Sequence, residues 1–144
     1  MIINFVPLRK AIRAYIEEEK NTVGVYFEYL PSGISVGAND REEVKLASLA
    51  KVPLAMSVLK KVEKGHISLE DTITLKESHL NNKFGDLWKA GAGAQFTIKE
   101  LIEVCLKTSD NTAYYALFDL LSDYEIVEVY DNLEIEVTSR DSEP

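Results

Sequence analysis

A single change of hydrophobic period constrains this chain more than any other feature. From Thr22 to Ala38, β-branched and aromatic residues crowd both sides of Pro31-Ser32-Gly33, and from Ser48 onward the apolar spacing becomes helical. The first pattern predicts strands over 22–30 and 34–38 joined by a turn. Ahead of it, Phe5, Leu8, Ile12, Tyr15 and Ile16 share one side of a helix, with Pro7 where a first turn tolerates it. A lone hairpin is marginal in water, so this segment needs a packing partner. A helix, an antiparallel hairpin and then a helical region put the chain in the α+β class.

The helical region begins with a predicted helix over 48–64, whose apolar stripe reads as Val52, Ala55, Met56, Leu59 and Val62, with Gly65 as its stop. Pro53 then falls in the second turn, where it costs ~3 kcal/mol unless the turn is unwound. A broken local rule of this kind points toward a functional site. Residues 67–96 read as short segments and loops. Gly91 and Gly93 lack the flanking strand and helix of a phosphate loop. Thr97-Ile98-Lys99-Glu100 forms a capping box opening a helix with Ile98, Leu101, Ile102 and Cys105 facing inward. That helix should end near Thr108. Ser109-Asp110-Asn111 is a polar break, Thr112–Leu121 another helix, and Tyr124–Val137 an acidic helix or strand before the hydrophilic stretch 138–144.

Composition narrows the function classes. A length of 144 residues suits one domain, and a net charge of −8 argues against nucleic acid or anionic membrane as partner. The single cysteine, Cys105, excludes an internal disulfide, and with only His66 and His79 beside it there is no metal-ligand spacing, so no cofactor is expected. No apolar run reaches the length that spans a bilayer. The opening Met1-Ile2-Ile3-Asn4-Phe5-Val6 precedes the charge at Arg9-Lys10, the reverse of the order in a secretory signal.

Two polar groups of residues carry possible chemistry. Ser48 and Lys51 stand three apart at a helix start, so one turn brings them to the same face. A serine hydroxyl needs a base, and a lysine can be one when desolvation lowers its pKa. Free N–H groups at a helix start can also stabilise an oxyanion. With ten serines and twelve lysines, roughly 0.8 such pairs arise by chance, and a cap with a solvated lysine is the plain alternative. Ser57 and Lys60 make a second pair, but mid-helix and away from those N–H groups. The tripeptide Ser109-Asp110-Asn111 is expected only about 0.03 times by chance, its plain alternative being a helix break.

Together, the two groups in this order resemble the penicillin-recognising serine hydrolases, above all class A β-lactamases and D-alanyl-D-alanine peptidases. Their motif set is serine-x-x-lysine, serine-aspartate-asparagine and lysine-threonine-glycine. The likeness runs from residue 5 to 121: the hairpin from Val23 to Asn39, the segment from Leu46 to Ala55, the stretch from Glu63 to Asp71, and Phe96 through Ala113. It implies a β-lactamase-like fold acting on β-lactams or acyl-D-Ala-D-Ala peptides of peptidoglycan type through an acyl-enzyme. It further implies Ser48 as nucleophile, whose backbone N–H would give half of the oxyanion hole, and Lys51 as base or organiser of the base. Ser109 would pass a proton to the departing nitrogen, Asn111 would bind substrate amide and lysine, and Asp110 would hold its own loop. Phe84 and Trp88 fall where such proteins build a cleft rim, with plain packing as the alternative. Extracytoplasmic residence, at the periplasm or cell surface, is implied too.

The pattern then breaks. The only lysine followed by threonine is Lys107-Thr108, and Ser109 stands where glycine should. Glu134 and Glu136 lack the surroundings of the deacylating glutamate of class A enzymes. The expectation is a single partial domain over 1–144, with helix and hairpin in 1–47 and most of a helical lobe in 48–144. A complementary C-terminal segment or chain carrying the lysine-threonine-glycine strand would complete its sheet. The alternative is a catalytically inactive, truncated relative serving as a binding or scaffold module.

Overall fold

The computed structural model describes residues 4–19, 23–43 and 45–136. The chain divides into two compact units, residues 1–45 and 46–144.

In the first unit, helix α1 (Val6–Glu18) carries Pro7 at its start, and the Asn4 side chain accepts from the Val6 N–H at 3.0 Å. Strands β1 (Val25–Tyr29) and β2 (Ile34–Ala38) pair antiparallel, Val25 opposite Ala38 and Tyr29 opposite Ile34. The expected hairpin is therefore present; Thr22, where the sequence pattern started it, lies outside the described residues. Gly33 closes the turn at φ +66°, a conformation a side chain resists. Phe5 packs its ring 5.9 Å from both Phe27 and Tyr29, and Arg9 donates to the Ser35 carbonyl at 3.2 Å. Val36 is buried, while Tyr26 and Phe27, on opposite faces of β1, are both exposed.

The second unit opens with a 3₁₀ turn (Ala47–Ala50) that runs into helix α2 (Lys51–Glu63). Strand β3 (Thr72–Thr74) pairs antiparallel with β4 (Gln95–Thr97), and 3₁₀ turns at Glu77–His79 and Leu87–Ala90 lie between them. Both strands have only three residues, too few for an alternating pattern to register in the sequence. Helices α3 (Ile98–Lys107), α4 (Asn111–Phe118) and α5 (Asp123–Asn132) follow. The capping box at Thr97 and Glu100 forms as expected, and a second one at Ser122 and Glu125 opens α5. Of the acidic segment expected over Tyr124–Val137, the part to Asn132 is helix, residues 133–136 are not, and Val137 lies outside the described residues. Leu54, Ala55, Val58, Ile98, Leu101, Ile102, Cys105, Ala113, Ala116 and Leu117 form the core. Lys60 and Lys64 pair with Glu128, and Lys61 with Glu125, at 2.9–3.0 Å, tying α2 to α5.

Two expectations about α2 are corrected. Pro53 is the third residue of the α-helix, not a second-turn residue, because the turn before it is 3₁₀. First-turn N–H groups have no partner within the helix, so proline costs little there. The buried face is Lys51, Leu54, Ala55 and Val58, whereas Val52, Met56 and Leu59 are 49%, 39% and 44% exposed. From Val52 to Leu59 the helix is apolar nearly all round, so spacing alone could not choose which side α3 and α4 would cover.

Candidate active site

Ser48 lies in the 3₁₀ turn, one residue after Ala47 at φ +44°. Such a backbone is strained by ~1–3 kcal/mol for a residue with a Cβ, and sites of this kind gather where geometry serves function. One helical turn on, Lys51 reaches back with Nζ 3.3 Å from Ser48 Oγ. Lys51 is only 2% exposed, and burial pushes its ammonium below the ordinary lysine range, opposed by the nearby Cys105 and Asp110. Its strongest partner comes from sixty residues away: Nζ donates to Asn111 Oδ1 at 2.8 Å. The Tyr114 ring lies 5.6 Å from Nζ. Among the described residues no carboxylate pairs with this lysine.

The second motif closes over Ser48. Ser109 adopts φ +56° between α3 and α4, and that left-handed turn puts its Oγ 2.9 Å from Ser48 Oγ. Asp110 is fully buried and caps α4: Oδ1 accepts from the Ala113 N–H and Oδ2 from the Leu87 N–H, both at 2.9 Å. Asp110 thus joins the start of α4 to the turn at Leu87–Ala90. Asn111, also fully buried, donates its backbone N–H to the Phe84 carbonyl at 3.1 Å.

All four groups of the proposed chemistry therefore meet at one place. Ser48, Lys51 and Ser109 line a depression of about 380 Å³ with Leu46, Ala47, Leu49, Val52, Cys105 and Leu106. Phe84 and Trp88 are not among its lining residues. A groove of about 490 Å³ between α2 and α5, lined by Met56, Leu59, Lys60, Glu63, Val129, Asn132 and Leu133, shares no lining residue with it. The mid-helix pair behaves differently: Ser57 donates to the Pro53 carbonyl at 2.9 Å and Lys60 pairs with Glu128. Cys105 beside the site is held at about 11 by burial and stays a thiol at neutral pH.

Sequence reasoning missed Asn81 and Gly85. Asn81 Oδ1 accepts from Asn111 Nδ2 at 3.3 Å, and a loop asparagine carries no signal of such a contact. Gly85 has φ +82°, and a Cβ there would run into the Asp110 carboxylate. The sequence Phe84-Gly85-Asp86 signals a turn but not what the turn presses against. Among the described residues no group of His, Cys, Asp and Glu side chains could hold a metal ion, and no helix is long and apolar enough to cross a membrane.

Known proteins resemble this chain in sequence and in fold. The family model described as the Beta-lactamase enzyme family matches residues 7–142. The extended-spectrum β-lactamase PER-1 of Pseudomonas aeruginosa is 30% identical over 118 residues, covering 79% of this chain and 38% of that enzyme. The solved structure of PBP-A superposes with a TM-score of 0.83 at 26% identity, covering 91% of this chain and 50% of that one. A PBP-A mutant in an acyl-enzyme complex with penicillin G gives 0.84 at 24% identity, covering 94% and 53%. The chain thus spans about half the length of the solved structures it matches, and less of the curated enzyme. With a match running over nearly its whole length and a β-lactamase-like fold beneath its two motifs, the chain belongs to the β-lactamase enzyme family and has the fold of the penicillin-recognising serine hydrolases.

Proposed function

We propose that this chain forms the nucleophile-bearing part of a serine hydrolase that is acylated by β-lactams or by D-Ala-D-Ala peptides. The observation that carries the reading is the convergence of Ser48 Oγ with Lys51 Nζ and Ser109 Oγ at 3.3 and 2.9 Å. Ser48 Oγ attacks the carbonyl carbon while Lys51, as the neutral amine that its burial favours, takes the hydroxyl proton. The tetrahedral oxyanion receives a hydrogen bond from the backbone N–H of Ser48. As the carbon–nitrogen bond breaks, the proton passes through Ser109 to the departing nitrogen, leaving the acyl group as an ester on Ser48. Asn111 holds Lys51 through Oδ1, and its second Nδ2 hydrogen serves the substrate's amide carbonyl once the groups covering this buried side chain move aside. The acyl-enzyme of the PBP-A mutant with penicillin G supports the substrate class. No cofactor takes part.

The sequence contains no lysine-threonine-glycine triplet, so a second oxyanion donor and a cation for the substrate carboxylate must come from elsewhere. A complementary C-terminal segment bearing that strand supplies both in this reading, and 1–144 is one part of a single domain. The exposed apolar side chains of Leu49 in the 3₁₀ turn and of Val52, Met56 and Leu59 in α2 support it, since four such uncharged positions are suited to burial. Family membership supports residence outside the cytoplasmic membrane.

The test is exposure to a fluorescent penicillin, with and without the complementary segment of a relative, followed by intact-mass measurement across pH. The expected result is a covalent adduct that disappears in Ser48→Ala, with an acylation rate that rises with pH through the lowered Lys51 pKa. The competing reading is a relative that binds without reacting. Absence of any adduct on Ser48 with the segment present would establish that one instead.

A further inference from the structure

The Asn111 side chain is useful to Lys51 in only one of its two orientations. With Oδ1 inward, it accepts from the ammonium at 2.8 Å; turned over, it would set an NH₂ group against that ammonium. Asn111 is fully buried, so water cannot correct a wrong orientation. The choice is made on its other side. Nδ2 donates to Asn81 Oδ1 at 3.3 Å, and that same oxygen accepts from the Lys83 backbone N–H at 3.0 Å. The Lys83 donor commits Asn81 to present its oxygen rather than its nitrogen. Asn81 in turn is pinned by Thr112, whose Oγ1 accepts from the Asn81 N–H at 3.0 Å and donates to the Asn81 carbonyl at 3.3 Å.

We propose that Asn81 is a positioning residue that fixes the orientation of Asn111 and, through it, the place and proton affinity of Lys51. The inference rests on the reading of Ser48 and Lys51 as the acylating pair, and it names a residue that neither motif contains. Hydrogen-bond polarity runs one way through the array: the Lys83 N–H and Asn111 Nδ2 give to Asn81, Lys51 gives to Asn111 and to Ser48, and Ser109 lies within hydrogen-bond distance of Ser48. That polarity holds for the ammonium; as the neutral amine Lys51 keeps its bond to Asn111 and turns its lone pair to the Ser48 hydrogen. Other charged or titratable groups facing Lys51 are Cys105 from α3, and Asp110 and Tyr114 at the start of α4. None of them is a hydrogen-bond partner of Asn81, so its effect on the lysine is separable from theirs.

Asn81→Leu removes the acceptor and excludes a substituting water, yet keeps the backbone bonds to Thr112. Asn81→Asp keeps an acceptor that cannot turn over to a donor. The measurement is the titration of the Lys51 side-chain ¹³Cε resonance by NMR, alongside the pH profile of Ser48 acylation by a penicillin. In Asn81→Leu the Lys51 midpoint should fall by about one unit, the worth of a hydrogen bond to a charged group. In Asn81→Asp it should return to the original value or above. If Asn81→Leu does not fold, Asn81→Ala replaces it, with the same fall expected and an unchanged midpoint refuting the proposal. An unchanged midpoint in folded Asn81→Leu, or a fall in Asn81→Asp, would overturn the proposal. The NMR titration needs no turnover: a shifted midpoint in a protein that never forms the Ser48 adduct upholds the positioning role and refutes the acylation reading.

Discussion

Gly85 offers the sharpest test of how the second motif is held. A methyl group at this position meets the Asp110 carboxylate, and the φ of +82° strains any side chain besides. Gly65, at φ +73° after α2, has nothing within 4 Å of where its Cβ would be. Gly65→Ala therefore measures conformational strain alone, about 1–2 kcal/mol. Gly85→Ala adds the displacement of a carboxylate that is wholly buried and bonded to the Leu87 and Ala113 N–H groups. It cannot move without giving up at least one of those bonds, and a bond to a charged group contributes about 1.5–3 kcal/mol. The cost of Gly85→Ala should therefore exceed that of Gly65→Ala by about 2 kcal/mol. Urea unfolding of both variants, compared at unchanged denaturant slope, supplies the difference. Equal costs within about 0.5 kcal/mol would show that Asp110 is free to yield, and the account of a rigidly clamped Ser109–Asn111 turn would be wrong.

The corrected face of α2 predicts that Val58→Ala, wholly buried, costs about 2–3 kcal/mol, while Val52→Ala, half exposed, stays within about 0.5; the reverse order in urea melts would restore the sequence-derived stripe. Glu125 is held at about 2, first by the Ser122 backbone N–H and then by Lys61. Its stabilisation is complete above the unfolded value of 4.5 and disappears as pH falls through about 2. Glu125→Gln should thus lower stability by about 1 kcal/mol at pH 7 and by nothing below pH 2, and a pH-independent loss would refute the linkage.

The parts of the fold that were legible in the sequence are local ones. The turn at Pro31-Ser32-Gly33, the capping box at Thr97 and the three-residue separation of Ser48 and Lys51 each depend on neighbours in the chain, so residue type and spacing are enough to read them. The position of Pro53 was misjudged because a 3₁₀ turn and an α turn look alike as apolar spacing. Strands β3 and β4 escaped because their pairing joins residues more than twenty apart.

By itself, then, the sequence determined which side chains are available for chemistry and which short elements carry them, since propensity and periodicity act over a few residues. Tertiary structure alone decided that Asn111 meets Lys51 across sixty residues, that Leu54 rather than Val52 is covered, and that Asn81 meets the Asn111 amide. Each of those outcomes depends on which surfaces find one another when the helices pack, and burial between distant segments leaves no periodic trace in either of them.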